Sequence, residues 1–270
     1  MAGGEMEKPR VLYKYRACDK YNSDIIIGHG MFFPRPTVFN DPFDCRIPLV
    51  FQGGAEDWVE YLMPRLRTQG VSDEYLREQI RKIITDGKIS EFEANEIAQG
   101  HAENELENLE VLCLSEPRDD ILMWSHYADC HRGVCFGFST EKWLLLSNKA
   151  KPVEYVDVMP TVNALRQDIQ EAAQKITLTK FRTWSHEREW RVVRQATPSQ
   201  MYSFPPQCLC EVIFGCKTTI QDRRRLIAMV HCSQSTPQFF EALPEPGKFN
   251  LRIRGITITD AMIREALGEV

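Results

Sequence analysis

Residues 184–194 read W-S-H-E-R-E-W-R-V-V-R, and this stretch carries the pattern that points to the fold. Aromatic and β-branched residues are enriched and alternate, which predicts a strand over the whole stretch. Glu187 and Glu189 are two positions apart, and residues at that spacing share one face of a strand. Two carboxylates on one face raise at least one pKa unless a cation lies close by, and Arg188 and Arg191 are beside them. The stretch therefore predicts either a solvated ladder of charges or a pair of acids that faces a site.

The composition is that of an ordinary globular chain. Of the 270 residues, 43% are hydrophobic and 26% are charged, which is enough apolar material for a full core. We therefore expect a single domain over residues 1–270. The formal net charge of -5 argues against a broad phosphate-binding surface, while a local basic cleft is still allowed.

The cysteines and the lack of long apolar runs indicate the compartment. Nine cysteines cannot all pair within one chain, so reduced and mostly buried thiols are expected. Cys208, Cys210, Cys216 and His231 do not have the spacing of a standard zinc site, so no metal is expected. The first ten residues are polar, and no run approaches the length needed to span a bilayer. These features predict a cytoplasmic protein without a membrane partner.

Short strands and helices are interleaved without a regular βαβ rhythm. No glycine-rich turn of the dinucleotide-binding type and no phosphate loop is found. This order favours an α+β fold over a doubly wound sheet. Residues 55–109 are charged and have apolar residues at helical spacing, which predicts a helical insertion within the domain. Other patterns predict strands over residues 11–16 and 110–115 and a short helix over residues 119–129 with acids in its first turn. A longer helix is predicted over residues 163–181, and a C-terminal helix capped by Asp260.

Five short segments hold more polar and aromatic residues than a core requires. They are Tyr13-Lys14-Tyr15-Arg16, Asn40-Asp41-Pro42-Phe43-Asp44, Ser115, Trp124-Ser125-His126-Tyr127 and Glu187-Arg188-Glu189. In this order they resemble a family of prokaryotic proteins catalogued as domain of unknown function number 2971. The resemblance rests on L-Y-K-Y-R, F-N-D-P-F-D, C-x-S, M-W-S-H-Y with a following R-G-V-C, and W-x-x-E-x-E-W-R. The name of that family implies no activity.

The layout is also similar, at a greater distance, to the ADP-ribosyltransferase superfamily. One branch has an Arg at the end of its first strand, a Ser-containing second strand and a Glu-x-Glu motif at the start of a later strand. Arg16, Ser115 and Glu187-x-Glu189 occur here in that order, although Ser115 lacks the Ser-Thr-Ser context of that branch. The resemblance implies small split mixed β-sheets with flanking helices.

The same resemblance implies a substrate and partners. The substrate would be NAD, and ADP-ribose would pass to a macromolecular acceptor, either protein or nucleic acid. Such a protein would be a toxin or an antiphage effector, for which a neutralising antitoxin is an expected partner.

The resemblance also implies roles for the two glutamates. Cleavage of the nicotinamide–ribose bond passes through an oxocarbenium-like transition state, as glycoside hydrolysis does. Glu189 would lie near the developing cation, and Glu187 would orient or deprotonate the incoming nucleophile.

The other candidates would bind the substrate or support the site. Arg16 would contact a phosphate or ribose of NAD. His126 would either hydrogen-bond the substrate or cap a loop, whereas Asn40 and Asp44 are expected to brace their loop. The remaining NAD-binding candidates are aromatic or hydroxyl side chains: Tyr15, Ser115, Trp124 and Tyr127.

Two alternatives stay open. The first is a metal-dependent nuclease or hydrolase with Asp41, Asp44, His126, Glu187 and Glu189 as ligands. The second is a non-catalytic binding module in which the motifs belong to the core and loops. Arg16 and Glu189 facing each other across a cleft would favour the transferase. Acids that converge on one point would favour the metal enzyme.

Overall fold

The computed structural model describes residues 7–67, 70, 72–78, 100, 104, 107–166 and 169–269. Much of the predicted helical insertion at residues 55–109 lies outside these ranges, so its extent stays a prediction. Residues 73–78 are helical in the described part. The other α-helices described are α1 (Asn22–Ile26), α2 (Ala55–Leu66), α3 (Ile121–Tyr127), α4 (Leu144–Lys149), α5 (Ile169–Leu178), α6 (Ile220–His231) and α7 (Asp260–Leu267). Short 3-10 helices cover Pro36–Val38, Arg182–Glu187 and Pro206–Cys208.

A mixed sheet of eight strands forms the centre of the fold. The strands of the described chain are β1 (Val11–Arg16), β2 (Gly30–Phe32), β3 (Leu49–Val50), β4 (Leu109–Ser115), β5 (Val134–Ser139), β6 (Lys151–Pro152), β7 (Glu154–Val156), β8 (Val162–Asn163), β9 (Thr179–Phe181), β10 (Glu189–Gln195), β11 (Met201–Ser203), β12 (Leu209–Phe214), β13 (Gln238–Pro244) and β14 (Leu251–Ile256). The large sheet has the order β14-β13-β12-β5-β1-β4-β10-β6, and β12 and β13 run parallel while its other neighbours are antiparallel. Two-stranded sheets pair β2 with β11, β3 with β8, and β7 with β9.

Both faces of the large sheet are covered. On one face Leu12 and Phe136 belong to a core that includes apolar residues of α1, α4 and α6. On the other face Tyr13 and Tyr15 pack with the start of α3 and with buried residues of β5 and β12. The alternation along β1 therefore sends successive side chains into two different cores, as the period of a strand requires.

The predicted α+β class with flanking helices is confirmed, but the sheet arrangement differs from the expected small sheets. Most strands join one large sheet, and its continuity is weakest between β1 and β4. These two strands pair only at Tyr13 and Ser115, so the sheet opens on the side toward Arg16. Within the described ranges, no helix is long and apolar enough to cross a membrane.

The strand expected over residues 184–194 begins only at Glu189. Glu187 ends a 3-10 helix, and Arg188 has φ 40°, in the left-handed region. The Ser115 hydroxyl donates to the Glu187 carbonyl over 2.5 Å, and the Glu116 N–H donates to the Arg188 carbonyl over 3.1 Å. These bonds come from β4 and its extension, so long-range partners hold a turn that the local alternation does not reveal.

Two helix boundaries also differ from the sequence prediction. The helix expected over residues 163–181 is α5, which ends at Leu178. The next three residues form β9 and pair with β7. Their backbone hydrogen bonds are therefore made to a neighbouring strand instead of within a helix. At the C-terminus the cap of α7 is Thr259, whose side chain accepts from the Met262 N–H, and Asp260 is the first helical residue.

Gly133 precedes β5 at a point where two chain segments approach closely. A Cβ atom there would lie 2.1 Å from the Arg16 carbonyl oxygen and 2.9 Å from the Ala128 carbonyl. We expect Gly133→Ala to lower the free energy of unfolding by about 1–3 kcal/mol, because backbone must move to admit the methyl group. Urea denaturation measures this. Gly255→Ala is the control, since the nearest atom there is a Phe240 ring carbon at 4.0 Å; equal losses in both variants would contradict the prediction.

Candidate functional site

A pocket of about 340 Å³ lies where β1 and β4 separate. Its wall is mainly aromatic and apolar, and charged groups are concentrated on one side. The volume lies within the range of small-molecule sites, which is about 300–1,000 Å³. The lining residues are Tyr13, Lys14, Tyr15, Pro34, Val38, Phe39, Asn40, Asp44, Cys113, Leu114, Ser115, Met123, His126, Tyr127, Lys180, Glu187 and Glu189.

The floor of the pocket is set by strand register. Ser115 is directly opposite Tyr13 on β1 and directly opposite Glu189 on β10. Residues that face each other across neighbouring strands point to the same side of a sheet. Tyr13, Ser115 and Glu189 therefore form a row across three strands on the face that α3 covers.

Helix α3 supplies another part of the pocket wall. Asp120 accepts from the Met123 N–H over 2.9 Å and caps the first turn, which fixes where the helix starts. Met123, His126 and Tyr127 are spaced by three and four residues, so they lie on one side of the helix. All three line the pocket.

Glu187 enters the pocket from the end of a 3-10 helix rather than from a strand. Its side chain is buried; Oε1 accepts from the Tyr127 hydroxyl over 2.7 Å and Oε2 accepts from Lys180 Nζ over 2.6 Å. Burial and the neighbouring Glu189 raise the pKa of Glu187, although Lys180 and Tyr127 oppose the shift. Glu187 is therefore the carboxylate of this pair that retains a proton to higher pH.

The pKa of Glu189 is shifted in the opposite direction. Burial disfavours its charged form, but Arg191 and Lys180 hold the pKa well below its ordinary range. Arg191 donates from Nε to Oε1 over 2.8 Å and from one terminal nitrogen to Oε2 over 2.9 Å, and Lys180 Nζ is 3.2 Å from Oε2. Glu189 thus carries a fixed negative charge in a buried setting.

Arg191 ties the acid pair to the loop that precedes β3. Arg191 is 1% exposed, and its guanidinium donates to both oxygens of Asp44 over 2.8 and 2.6 Å and to the Thr177 carbonyl over 2.8 Å. Asp44 is thereby fixed by a bidentate contact with Arg191. The contact between Arg191 and Glu189 could be expected from the sequence, because Arg191 is two positions after Glu189 on the same strand face.

Lys180 is a central residue that the sequence interpretation missed. Its Nζ lies 2.6 Å from Glu187, 3.2 Å from Glu189 and 3.6 Å from Asp44. Burial disfavours its ammonium form, but these carboxylates raise its pKa above the ordinary value. It was missed because residues 163–181 were assigned to one helix, whereas Lys180 belongs to β9.

Lys14 was also absent from the predicted site. Its side chain reaches through the opening between β1 and β4, and Nζ donates to the Cys113 carbonyl over 2.9 Å. Burial lowers the pKa of Lys14. The motif Tyr13-Lys14-Tyr15-Arg16 had indicated a cation on β1, and the structure shows Lys14 in the pocket wall.

Eight of the predicted site residues line the same pocket, and two do not. Arg16 is half-buried and is not among the lining residues, so the expected pair across the cleft is absent from this pocket. Trp124 is fully buried, and its Nε1 donates to the Arg118 carbonyl over 3.0 Å. It supports Tyr15 through an edge-to-face contact at 5.2 Å instead of contacting a ligand. The eight lining residues are Tyr15, Asn40, Asp44, Ser115, His126, Tyr127, Glu187 and Glu189.

Ser115, Asn40 and His126 differ in how far their polar atoms are already hydrogen-bonded within the protein. The Ser115 hydroxyl is engaged by the Glu187 carbonyl, and Asn40 Nδ2 makes a long contact of 3.5 Å to the Tyr127 hydroxyl. His126 is exposed at the rim, with its ring 6.3 Å from those of Tyr127 and Trp184. Of these three, His126 is the side chain most open to a ligand.

Metal ligands do not converge in the described chain. No group of three or more His, Cys, Asp and Glu residues there is arranged to hold an ion. Asp44, Glu187 and Glu189 instead surround Lys180. The nine cysteines are unpaired, and three of them, Cys45, Cys135 and Cys208, are buried.

Residues 123–192 match the model of a family described as protein of unknown function (DUF2971). This segment holds most of α3 and the first part of β10, and it includes Glu187 and Glu189. No curated protein and no solved structure matches the chain. The match supports the resemblance to this family over residues 123–192, which are similar to a family of proteins of unknown function.

Proposed function

We propose that the pocket binds NAD, cleaves its nicotinamide–ribose bond and transfers ADP-ribose to a macromolecular acceptor. The observation that carries the proposal is the pair Glu187 and Glu189, which line one pocket and have pKa shifts in opposite directions. Two carboxylates whose environments separate their protonation states divide into acid–base and electrostatic roles.

Glu189 would stabilise the developing positive charge. It is buried and ionised, and a fixed negative charge acts most strongly where water is excluded. Arg191 and Lys180 hold the carboxylate in place through hydrogen bonds of 2.8–3.2 Å. Because this environment exists before the substrate arrives, little reorganisation is needed during bond cleavage.

Glu187 would accept a proton from the attacking nucleophile. A raised pKa brings a carboxyl closer to the range in which it exchanges protons near neutral pH. Once ionised, the carboxylate is held by Tyr127 and Lys180. The nucleophile is the acceptor group in transfer and water in hydrolysis.

The aromatic wall suits the nicotinamide end of NAD. Tyr13, Tyr15, Phe39 and Tyr127 offer ring surfaces, and Lys14 offers ammonium hydrogens. A volume of about 340 Å³ fits this end of the molecule better than the whole dinucleotide. In a cell such an enzyme would act in the cytoplasm as a toxin or antiphage effector, and a neutralising antitoxin would restrain it.

The proposal is tested with NAD labelled in its adenylate phosphate. The protein is incubated with labelled NAD, with and without a bacterial lysate, and free nicotinamide is quantified by chromatography. We expect nicotinamide release together with label on macromolecules; protease or nuclease digestion then identifies the acceptor class. Absence of NAD binding by calorimetry would reject the proposal. Binding without release would favour a binding module, and cleavage of nucleic acid that EDTA abolishes would favour the metal-dependent alternative.

Tyr127→Phe tests the protonation of Glu187. The Tyr127 hydroxyl donates to Glu187 and thereby favours its ionised form, so its removal raises the Glu187 pKa further. We expect the acidic limb of the pH–rate profile for nicotinamide release to move to higher pH. Tyr202→Phe is the control, since Tyr202 does not line the pocket. An unchanged limb in Tyr127→Phe would contradict the assignment of Glu187 as the base.

A further inference from the structure

A second cavity of about 260 Å³ adjoins the pocket and shares Asp44 and Lys180 with it. The cavity is lined by Asp41, Phe43, Asp44, Ile47, Val156, Asp157, Met159, Pro160, Thr179, Lys180 and Phe181. We call it the second cavity.

The rim of the second cavity is apolar and open to solvent. Phe43, Met159 and Phe181 are 64%, 43% and 53% exposed. The parallel pairing of β7 with β9 places Val156 opposite Phe181 and brings the two sides of the rim together. Exposed large apolar side chains that converge on one concave surface are typical of binding sites.

Asp41 supplies an acceptor that the fold itself does not use. The residue is 8% exposed, and its Oδ1 accepts from the Phe43 N–H over 2.9 Å. The other oxygen, Oδ2, has no hydrogen-bond or ion-pair partner anywhere in the described chain. This oxygen is not one of the buried side-chain atoms that lack a partner, so it is accessible from the cavity and can accept a hydrogen bond from a ligand that donates one.

The cations next to the second cavity are already engaged. Lys180 makes ion pairs of 2.6, 3.2 and 3.6 Å with three carboxylates of the first pocket. At the rim, Arg182 binds Asp157 over 2.8 Å. The charge of Asp41 is thus the one left without a partner among the lining residues, and it favours a positive ligand.

We propose that the second cavity binds an organic cation that consists of an ammonium or guanidinium group attached to an aromatic or aliphatic body. The charged group would donate to Asp41 Oδ2, and the body would pack between Phe43, Met159 and Phe181. The face of an aromatic ring attracts a cation and also packs against apolar groups. The lining therefore suits both the charged group and the apolar body of the ligand. This site does not depend on NAD or on the proposed transferase activity.

Three probes of one shape and different charge test the proposal. Benzylamine, benzyl alcohol and benzoate are titrated into the full chain by calorimetry at neutral pH. We expect benzylamine to bind at least about tenfold more tightly than the other two, because a hydrogen bond to a charged group contributes that much. Equal affinity for all three, tighter binding of benzoate or no binding of benzylamine would overturn the proposal.

Variants then assign the preference to Asp41. Asp41→Asn keeps an acceptor for the Phe43 N–H and is expected to abolish the preference for benzylamine. Asp157→Asn changes an acid that is already paired and should leave the preference intact. Phe181→Ala, at an exposed position, should weaken all bound probes without changing their order. Equal losses in Asp41→Asn and Asp157→Asn would overturn the role of Asp41.

Discussion

Glu189→Gln is expected to slow nicotinamide release by about 10²–10³-fold, the usual effect of removing one preorganised electrostatic group. Glutamine has nearly the same shape but no charge, so the developing oxocarbenium would lose its nearest fixed anion. Glu187→Gln should also lower the rate, through loss of the proton acceptor. The measurement is single-turnover nicotinamide release, with NAD affinity determined separately.

The matched control for Glu189→Gln is Glu110→Gln. Glu110 is also buried, and it accepts from Arg194 Nε over 2.8 Å and from the Thr197 N–H over 2.9 Å, outside the pocket. Both variants remove a buried, ion-paired charge from the same sheet. A rate loss in Glu189→Gln with little change in Glu110→Gln would assign the effect to chemistry. Equal rates in the wild type and Glu189→Gln, with NAD bound, would contradict the proposed role.

Arg191→Met is expected to lower the free energy of unfolding by about 3–5 kcal/mol, the range for removing one partner of a buried ion pair. The guanidinium is 1% exposed and is the main partner of both Asp44 and Glu189. Without it, three carboxylates would share Lys180 alone in a buried space. Chemical denaturation at neutral pH measures the loss.

The pH dependence of the Arg191→Met effect follows from the Glu189 pKa. In the folded wild type this pKa is far below its ordinary value of 4.5, chiefly through Arg191 and Lys180 acting against burial. Its contribution to stability is therefore fully present above about pH 4.5 and is lost as the pH falls toward the depressed value. The difference between the wild type and the variant should shrink over that acidic range.

Arg182→Met is the control for Arg191→Met. The Arg182–Asp157 pair has side chains that are 58% and 68% exposed. Exposed pairs contribute about 0–1 kcal/mol, so this variant should stay close to the wild type at all pH values. Similar losses in both arginine variants, or a constant difference down to low pH, would contradict the electrostatic explanation.

Several features of the site were predictable because they depend on short sequence patterns. β1 was predicted from V-L-Y-K-Y-R with the boundaries that it has. The strand that ends at Ser115 was expected from its apolar run, and a helix over residues 119–129 from the acids in its first turn, of which Ile121–Tyr127 forms α3. Eight candidate residues on these elements, on β10 with the 3-10 helix before it and on the loop before β3 line one pocket. Short segments rich in polar and aromatic residues thus indicated which parts of the chain line the pocket.

Other features depend on contacts between distant segments and were not predictable. The path from Glu187 to Glu189 was expected to be a strand, but hydrogen bonds from Ser115 and Glu116 hold a turn there. Arg16 was expected in the pocket because it ends β1, whereas the opening between β1 and β4 admits Lys14. Trp124 was expected to contact a ligand but is buried beneath Tyr15.

Short patterns along the chain were enough to predict the α+β class, two acids next to a buried strand and the resemblance to a family that matches residues 123–192, because each depends on the spacing of neighbouring residues. The opposite pKa shifts of the two acids required the folded chain: burial and Glu189 raise the pKa of Glu187, whereas Arg191 and Lys180 lower the pKa of Glu189 against burial. A pKa depends on burial and on charges within a few ångströms, and those charges come from positions as distant along the chain as Asp44 and Lys180.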